Sequence, residues 1–373
     1  MKKSFYKSSL YFLSTFLIFT AEAKAKEVGQ YPNVSGTVLF ELKPDRVTST
    51  NKQGVSPNNI LVNIEPDLSL NVNKNWSVKT GLRIYPIVSN NSANPERSRT
   101  ILGENRGVNF DDEGIIIEEL KAQFENEDMK FSAGKYDATF ATMYRKSKRI
   151  GVFNTDFTED YELRERIGAN ITALLEDSEI TVNGFFNDTT GLSESAINDR
   201  GRAKRSDGLA GNTNTLSSYS VTMEGQRLFN VENLFYNIGY RSLGVDGGVG
   251  RARETGQTVS VEYLMKVGNH TSLTPLIELV RLNNFTGERG RDTTYSNMAL
   301  IGKYSSWTAS VSSVVRNNKH SQLVRNGTDH QIQVTAGYKF ANNVSLDVSR
   351  ASIKEDGSRG ALIGAMLSYL YKF

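Results

Sequence analysis

Cysteine is absent from the 373 residues, so neither a disulfide framework nor a thiolate metal site can form. Imidazole is nearly absent too, with only His270, His320 and His330. Proline is scarce, at 7 residues, and so rarely interrupts an extended segment. The formal net charge is only +3, which does not support a nucleic-acid partner. No internal run approaches the ~18 consecutive apolar residues that read as a membrane-crossing helix. Catalytic signatures are missing: no G-x-S-x-G, P-loop or H-E-x-x-H occurs. Asp329 and His330 are adjacent, and so fall on opposite faces of a strand where they cannot act together. These absences argue against an enzyme and imply neither cofactor nor metal.

The one long apolar run is at the start. Lys2, Lys3 and Lys7 precede an apolar stretch from Leu10 to Thr20, and Ala21-Glu22-Ala23-Lys24-Ala25 follows. A basic segment, an apolar core too short to span and small residues at the end read as a secretory signal peptide over 1–25, cleaved after Ala23 or Ala25. Residues 26–373 then form a single mature domain. Without Lys2, Lys3, Lys7 and Glu22 its net charge is near +1.

The mature chain alternates. Val62, Ile64, Pro66, Leu68, Leu70 and Val72 share one face of a strand, with Asn63, Glu65, Asp67, Ser69 and Asn71 on the other. After Asn73-Lys74-Asn75 the pattern returns through Trp76, Val78, Thr80, Leu82 and Ile84. Similar segments occur at 34–43, 115–124, 129–136, 164–175, 179–187, 217–226, 234–243, 257–266, 271–282, 294–304, 307–316, 329–340, 344–353 and 359–373. The count is 16, with 14 or 18 as the alternatives. Short turns alternate with longer polar loops at 44–59, 88–114, 137–163, 189–216, 244–256, 283–293 and 317–328. Such asymmetry separates a membrane barrel, apolar outside and polar inside, from a soluble sandwich. The fold class is therefore all-β: a transmembrane antiparallel up-and-down barrel with both termini on the short-turn side. Pro66 and Pro275 fall within strands and imply bulges.

At the C-terminus, Phe373, Tyr371, Tyr369, Leu367, Ala365, Ile363 and Ala361 make one apolar face that ends in three aromatic rings. Aromatic rings suit a membrane–water interface. A terminal strand of this kind resembles the assembly signal of bacterial outer-membrane barrels. With the signal peptide and the alternating strands, the mature chain resembles the Gram-negative porin superfamily. "AGKYDATFA" at 133–141, "ELRERIGANI" at 162–171 and "FFNDTTGLSES" at 185–195 look like segments of phosphate-selective and siderophore-uptake porins. Where those families continue the Gly-Lys pair with a Pro-Phe-Gly turn, this chain has Asp137-Ala138-Thr139-Phe140-Ala141. The resemblance implies a bacterial outer-membrane location, contact with lipid and lipopolysaccharide, insertion by the barrel-assembly machinery and a third loop folded into the lumen.

That third loop, 137–163, carries Arg145, Lys146, Lys148 and Arg149, then Asp156, Glu159, Asp160 and Glu162. Segregated clusters at a constriction would filter solutes by charge and size; on a solvated outer loop they would do nothing of the kind. Strand parity turns Lys79, Arg83, Arg164 and Arg166 towards the lumen, where they form a basic wall or ordinary salt bridges. Arg200, Arg202, Lys204 and Arg205 of the fourth loop read as solvated charges or as contacts to lipopolysaccharide phosphates. Gly36, Ala361 and Ala365 are small outward residues that suit a homotrimer. The reading is a channel for passive diffusion of small hydrophilic solutes, weakly charge-selective and favouring anions. The alternatives are a substrate-specific uptake barrel for a siderophore, phosphate or similar anion, and a surface adhesin or structural barrel.

Overall fold

The computed structural model describes residues 30–87, 113–153, 155–198, 204–320 and 326–373, without the side chains of 147–149, 155, 156 and 320. The expected signal peptide lies outside the described residues. Strands β1 (Asn33–Thr50), β2 (Asn58–Asn71), β3 (Trp76–Pro86), β4 (Glu113–Glu125) and β5 (Met129–Ala138) open the chain. Next come β6 (Leu163–Leu174), β7 (Ser178–Asn187), β8 (Ser218–Gly225), β9 (Leu234–Leu243), β10 (Glu254–Tyr263) and β11 (Met265–Lys266). The last six are β12 (Thr271–Asn283), β13 (Arg291–Tyr304), β14 (Trp307–His320), β15 (Gly327–Lys339), β16 (Val344–Glu355) and β17 (Ser358–Lys372). All belong to one antiparallel sheet that closes by pairing β1 with β17, from Thr37↔Lys372 to Thr50↔Gly360. Gly36 and Phe373 exchange backbone hydrogen bonds of 3.0 and 3.2 Å beyond that ladder.

The wall has sixteen spans, because β11 is the tail of β10. Glu262↔Leu276 and Met265↔Leu273 keep one register, and the pairing lapses where Tyr263 would face Pro275. Proline has no N–H to give to that rung. Around Pro66 the β2–β3 ladder likewise lapses between Ile64↔Ile84 and Asp67↔Gly81 without a shift. The bulges expected at the two prolines are therefore gaps in hydrogen bonding. Register shifts occur instead at Gly81/Leu82, Tyr136/Ala138 and Val47/Ser49.

Alternation places lipid and lumen on opposite faces. Ile277 and Leu279 are 49% and 45% exposed, whereas Glu278 between them is 0% exposed. A face of Ile, Val, Leu and Met open to the surroundings around a whole barrel is stable only in hydrocarbon. Beside the short turns lie aromatic pairs: Trp76–Phe124 with ring centroids 5.2 Å apart, Trp307–Tyr338 at 4.8 Å and Tyr371–Phe373 at 5.7 Å. Each such pair contributes about 0.5–1.5 kcal/mol beyond its buried area. The closing turn of β16–β17 is Asp356-Gly357, with φ of 48° and 80°. Two successive left-handed residues match the strand twist, and glycine adopts that conformation without strain.

The first outer loop, expected over 44–59, is reduced to 51–57 because β1 continues to Thr50. Its outer half inverts the usual pattern: Val47 is buried inside the barrel, while Arg46 is exposed on the outside. A period-two apolar face aimed at lipid is absent there, so the extension reads as loop.

Candidate functional site

Between β5 and β6 the chain runs through 139–162 and forms two short helices, α1 (Met143–Ile150) and α2 (Thr155–Thr158), then a 3-10 turn at Glu159–Tyr161. Its aromatic residues Phe140, Phe153, Phe157 and Tyr161 are buried. Apolar side chains in a loop of this length leave water for the nearest apolar surface, here that of the strands around them. Phe153, Phe157 and Val152 pack with Val47, Val314, Ala351, Ile353, Leu362 and Met366, all from strands near the closing seam. Met143 and Ile150 pack with Leu276, Ala299 and Ile301. A Cβ on Gly364 would stand 2.6 Å from Phe153 Cζ, so glycine leaves the hollow that the ring fills.

Polar anchors complete the attachment. α1 has no side-chain cap, and its first free N–H groups turn to Glu278 of β12. Thr142 N and Met143 N donate to Glu278 Oε2 at 2.6 and 2.9 Å, and Thr142 Oγ1 donates at 2.9 Å. The other oxygen accepts from Tyr161 OH at 2.6 Å and Asn297 Nδ2 at 3.2 Å. Burial and the adjacent Glu278 push the Tyr161 hydroxyl well above its ordinary pKa, so it remains a donor. Farther along the wall, Ser310 Oγ and Gln333 Nε2 donate to the Ile150 carbonyl at 2.8 and 3.1 Å. Phe153 N donates to Gln333 Oε1 at 2.7 Å, and Val152 N to Ser349 Oγ at 3.2 Å.

Two buried arginines hold the end of the segment. Arg316 bridges Asp160, Asp329 and Glu355 at 2.7, 2.9 and 3.4 Å and lies 4.5 Å above the Phe157 ring. Tyr295 OH adds a 2.9 Å hydrogen bond to Asp160. Arg241 pairs with Glu254 at 2.5 Å, donates to the Tyr161 carbonyl at 2.7 Å and covers Phe140. Asp160 thus ties the segment to the wall and is not a charge facing open space. Arg166 is also fully buried, with its guanidinium 5.8 Å from the Phe185 ring.

The described basic side chains of α1, Arg145 and Lys146, are paired as well. Arg145 Nη2 is 2.9 Å from Glu224 Oε2, and Lys146 pairs with Glu262. Both acids share a cavity of about 380 Å³ with Thr142, Ser260 and the short turn at 175–178. The side chains of Lys148, Arg149 and Asp156 lie outside the described residues, as do Arg200 and Arg202.

Opposite the anchored segment, β2 to β6 carry a mixed strip of charge. Arg83 pairs with Glu118 at 3.0 Å and Glu65 at 3.7 Å, and Lys121 with Glu119 at 2.8 Å. Arg164 joins this strip to the segment by pairing with Glu159 at 3.1 Å and Glu162 at 2.5 Å. Lys79 is a neighbour of Lys121 on the adjacent strand. Burial raises the Glu159 carboxyl, but Arg164 and Arg83 outweigh it and hold the group below its ordinary value. For Glu162 burial wins, aided by Glu159 and Glu118, and the carboxyl sits above its ordinary value despite Arg164. Strand parity places Arg83, Lys79 and Arg164 on this face, and Glu65 with them. It missed Glu118, which the shift at Gly81/Leu82 turns towards Arg83.

A closed wall of sixteen antiparallel spans, apolar outside and polar inside, is the architecture of outer-membrane channels. No protein-family model matches this chain, and no curated protein matches it in sequence. Solved structures do resemble it in fold. OccAB4 of Acinetobacter baumannii is 8% identical, with a TM-score of 0.53 over 94% of this chain and all of the other. The outer membrane channel DcaP of the same organism is 10% identical, with a TM-score of 0.53 over 93% and 99% of the two chains. OpdK of Pseudomonas aeruginosa, solved with vanillate, is 9% identical, with a TM-score of 0.53 over 91% and 99%.

Proposed function

We propose that the mature chain is an outer-membrane channel through which small hydrophilic solutes diffuse, narrowed by the segment 139–162. The observation that carries this reading is the set of hydrogen bonds that fasten that segment to inward-facing residues such as Glu278, Arg316 and Gln333. A segment fixed to one side of the lumen leaves the charged strip of β2 to β6 as the far edge of the passage. There Lys79, Arg83, Lys121 and Arg164 stand among Glu65, Glu118, Glu119, Glu159 and Glu162, so the two signs nearly balance and selectivity by charge is weak. Arg145 and Lys146, neutralised by Glu224 and Glu262, contribute less to an anion preference than free cations would.

A signal peptide at 1–25 and insertion by the barrel-assembly machinery belong to the same reading. A second reading is a channel selective for organic anions. It is favoured by the solved relatives OpdK with vanillate and OccK2 (OpdF) of Pseudomonas aeruginosa with glucuronate. Swelling of proteoliposomes in sugars of graded size and in vanillate or glucuronate salts separates the two. Diffusion gives rates that fall smoothly with solute size. Saturable entry of one anion, well above that of a sugar of equal size, would replace the first reading by the second.

A further inference from the structure

Cations cluster on the lipid-facing side of the barrel at its closing seam. On the outer half of the seam β16–β17–β1, Arg350, Ile363 and Arg46 lie in register across three neighbouring strands, all exposed. Two rungs farther out, Lys354 of β16 stands opposite Arg359 of β17. Their neighbours in sequence point inward: Ser349, Ala351, Ile353, Glu355, Asp45 and Val47 are buried. The four cations therefore share the outer face. Among the described residues no carboxylate gives any of them an ion pair, and no acid occupies an outward position on these three strands beyond the Arg46–Arg350 rung.

The height of the patch identifies its surroundings. Ten residues separate Ile363 from the aromatic end at Phe373, about 26 Å of height for a strand tilted ~40°. The apolar band of such barrels is about 25 Å tall. Arg46 and Arg350 thus lie at its outer boundary, and Lys354 and Arg359 just beyond, at headgroup level. Their spacing is about 10 Å across two strands. Guanidinium groups bind phosphate oxygens bidentately, and an unpaired cation gains most where hydrocarbon lowers the local dielectric.

We infer that Arg46, Arg350, Lys354 and Arg359 form a binding site for the phosphate groups of a phosphorylated glycolipid in the outer leaflet. The acyl chains of that lipid lie along Val348, Ala365 and Leu367 below. A second copy of the chain is a poorer occupant, because burying four cations without a carboxylate on this face costs several kcal/mol. The inference rests on the membrane placement proposed above but not on conduction, so a barrel that fails to conduct leaves it standing.

The full chain, purified in detergent and verified as folded by its heat-dependent gel mobility, is mixed with bisphosphorylated lipid A and examined by native mass spectrometry. Retention of the lipid is expected to fall at least tenfold in the variant Arg46→Gln/Arg350→Gln/Lys354→Gln/Arg359→Gln. It is expected to persist in Arg281→Gln/Lys319→Gln, which removes two outward cations elsewhere on the rim. Arg350→Gln alone is expected to lower retention severalfold, and decides the matter if the quadruple variant does not fold. Equal retention of a dephosphorylated glycolipid with the same chains would overturn the inference. So would displacement by inorganic phosphate at equal concentration, or loss of an oligomer in place of lipid.

Discussion

Replacing Glu278 by Gln tests how the segment 139–162 is held. The carboxylate takes three hydrogen bonds at Oε2 from Thr142 and Met143 and two at Oε1 from Tyr161 and Asn297. Each bond to a charged acceptor is worth about 1.5–3 kcal/mol, and a neutral acceptor offers roughly half as much. If the glutamine carbonyl takes the Oε2 position, three weakened bonds cost roughly 3 kcal/mol. The amide NH2 then meets Asn297 Nδ2, another donor. Tyr161 can rotate its hydroxyl to accept; Asn297 must turn its amide. A loss of about 3 kcal/mol raises the population of detached segment roughly a hundredfold. Single-channel records of Glu278→Gln are expected to show added open-channel noise and excursions to higher current. Trypsin is expected to cut after Arg145 or Lys146 faster than in the parent. If current, noise and cleavage all match the parent, Glu278 is not the anchor its geometry indicates.

Arg316→Gln leaves Asp160, Asp329 and Glu355 together in a buried site without their shared cation. Removing one partner of a buried ionic cluster costs about 3–5 kcal/mol, so the unfolding temperature seen by heat-dependent gel mobility should drop clearly, whereas Arg205→Gln, an exposed partner of Asp246, should leave it unchanged. Arg164→Gln uncovers Glu159 and Glu162, and the reversal potential in a tenfold KCl gradient should move towards cations; movement towards anions would contradict the strip described above. The two carboxyls also separate by pH. Glu162, held above the 4.5 of an ordinary glutamate, takes up its proton first as pH falls, and Glu159 only below 4.5. Protonating Glu162 removes a negative charge and stabilises the fold, because its charged form is the one burial penalises. Anion preference should therefore rise as pH falls towards 4.5, and Glu162→Gln should abolish that first step.

The wall is legible in the sequence because lipid imposes a strict demand on every second residue. Ile277, Leu279, Ile363 and Leu367 satisfy it, and the alternation marks the bounds of the strands that carry them to within a few residues. Legibility fails where the demand lapses. The outer half of β1 carries Pro44, Arg46 and Thr48 outside and Val47 inside, so it reads as loop. Pro66 and Pro275 suggest bulges, yet a missing N–H needs no extra residue, and the register runs on past both.

The third loop is legible as something packed, since Phe140, Phe153 and Phe157 would not remain in water. Its anchors are not. Glu278, Asn297, Arg316 and Gln333 look like any polar residues of a wet lumen, and only closure of the barrel brings them to Thr142, Tyr161, Asp160 and Phe153. Pairing has the same effect on charge. Arg145 and Lys146 read as free cations, but Glu224 and Glu262, about 80 and 116 residues away in sequence, stand beside them.

Planar-bilayer recording tests the central claim most directly, with the parent chain compared against a variant whose residues 143–158 are replaced by a short Gly-Ser linker. The expected result is stepwise, ohmic current from the parent and steps severalfold larger from the variant, whose lumen lacks the anchored segment. Absence of steps from a correctly folded parent would contradict a channel. Equal steps from both would show that the segment 139–162 does not narrow the passage.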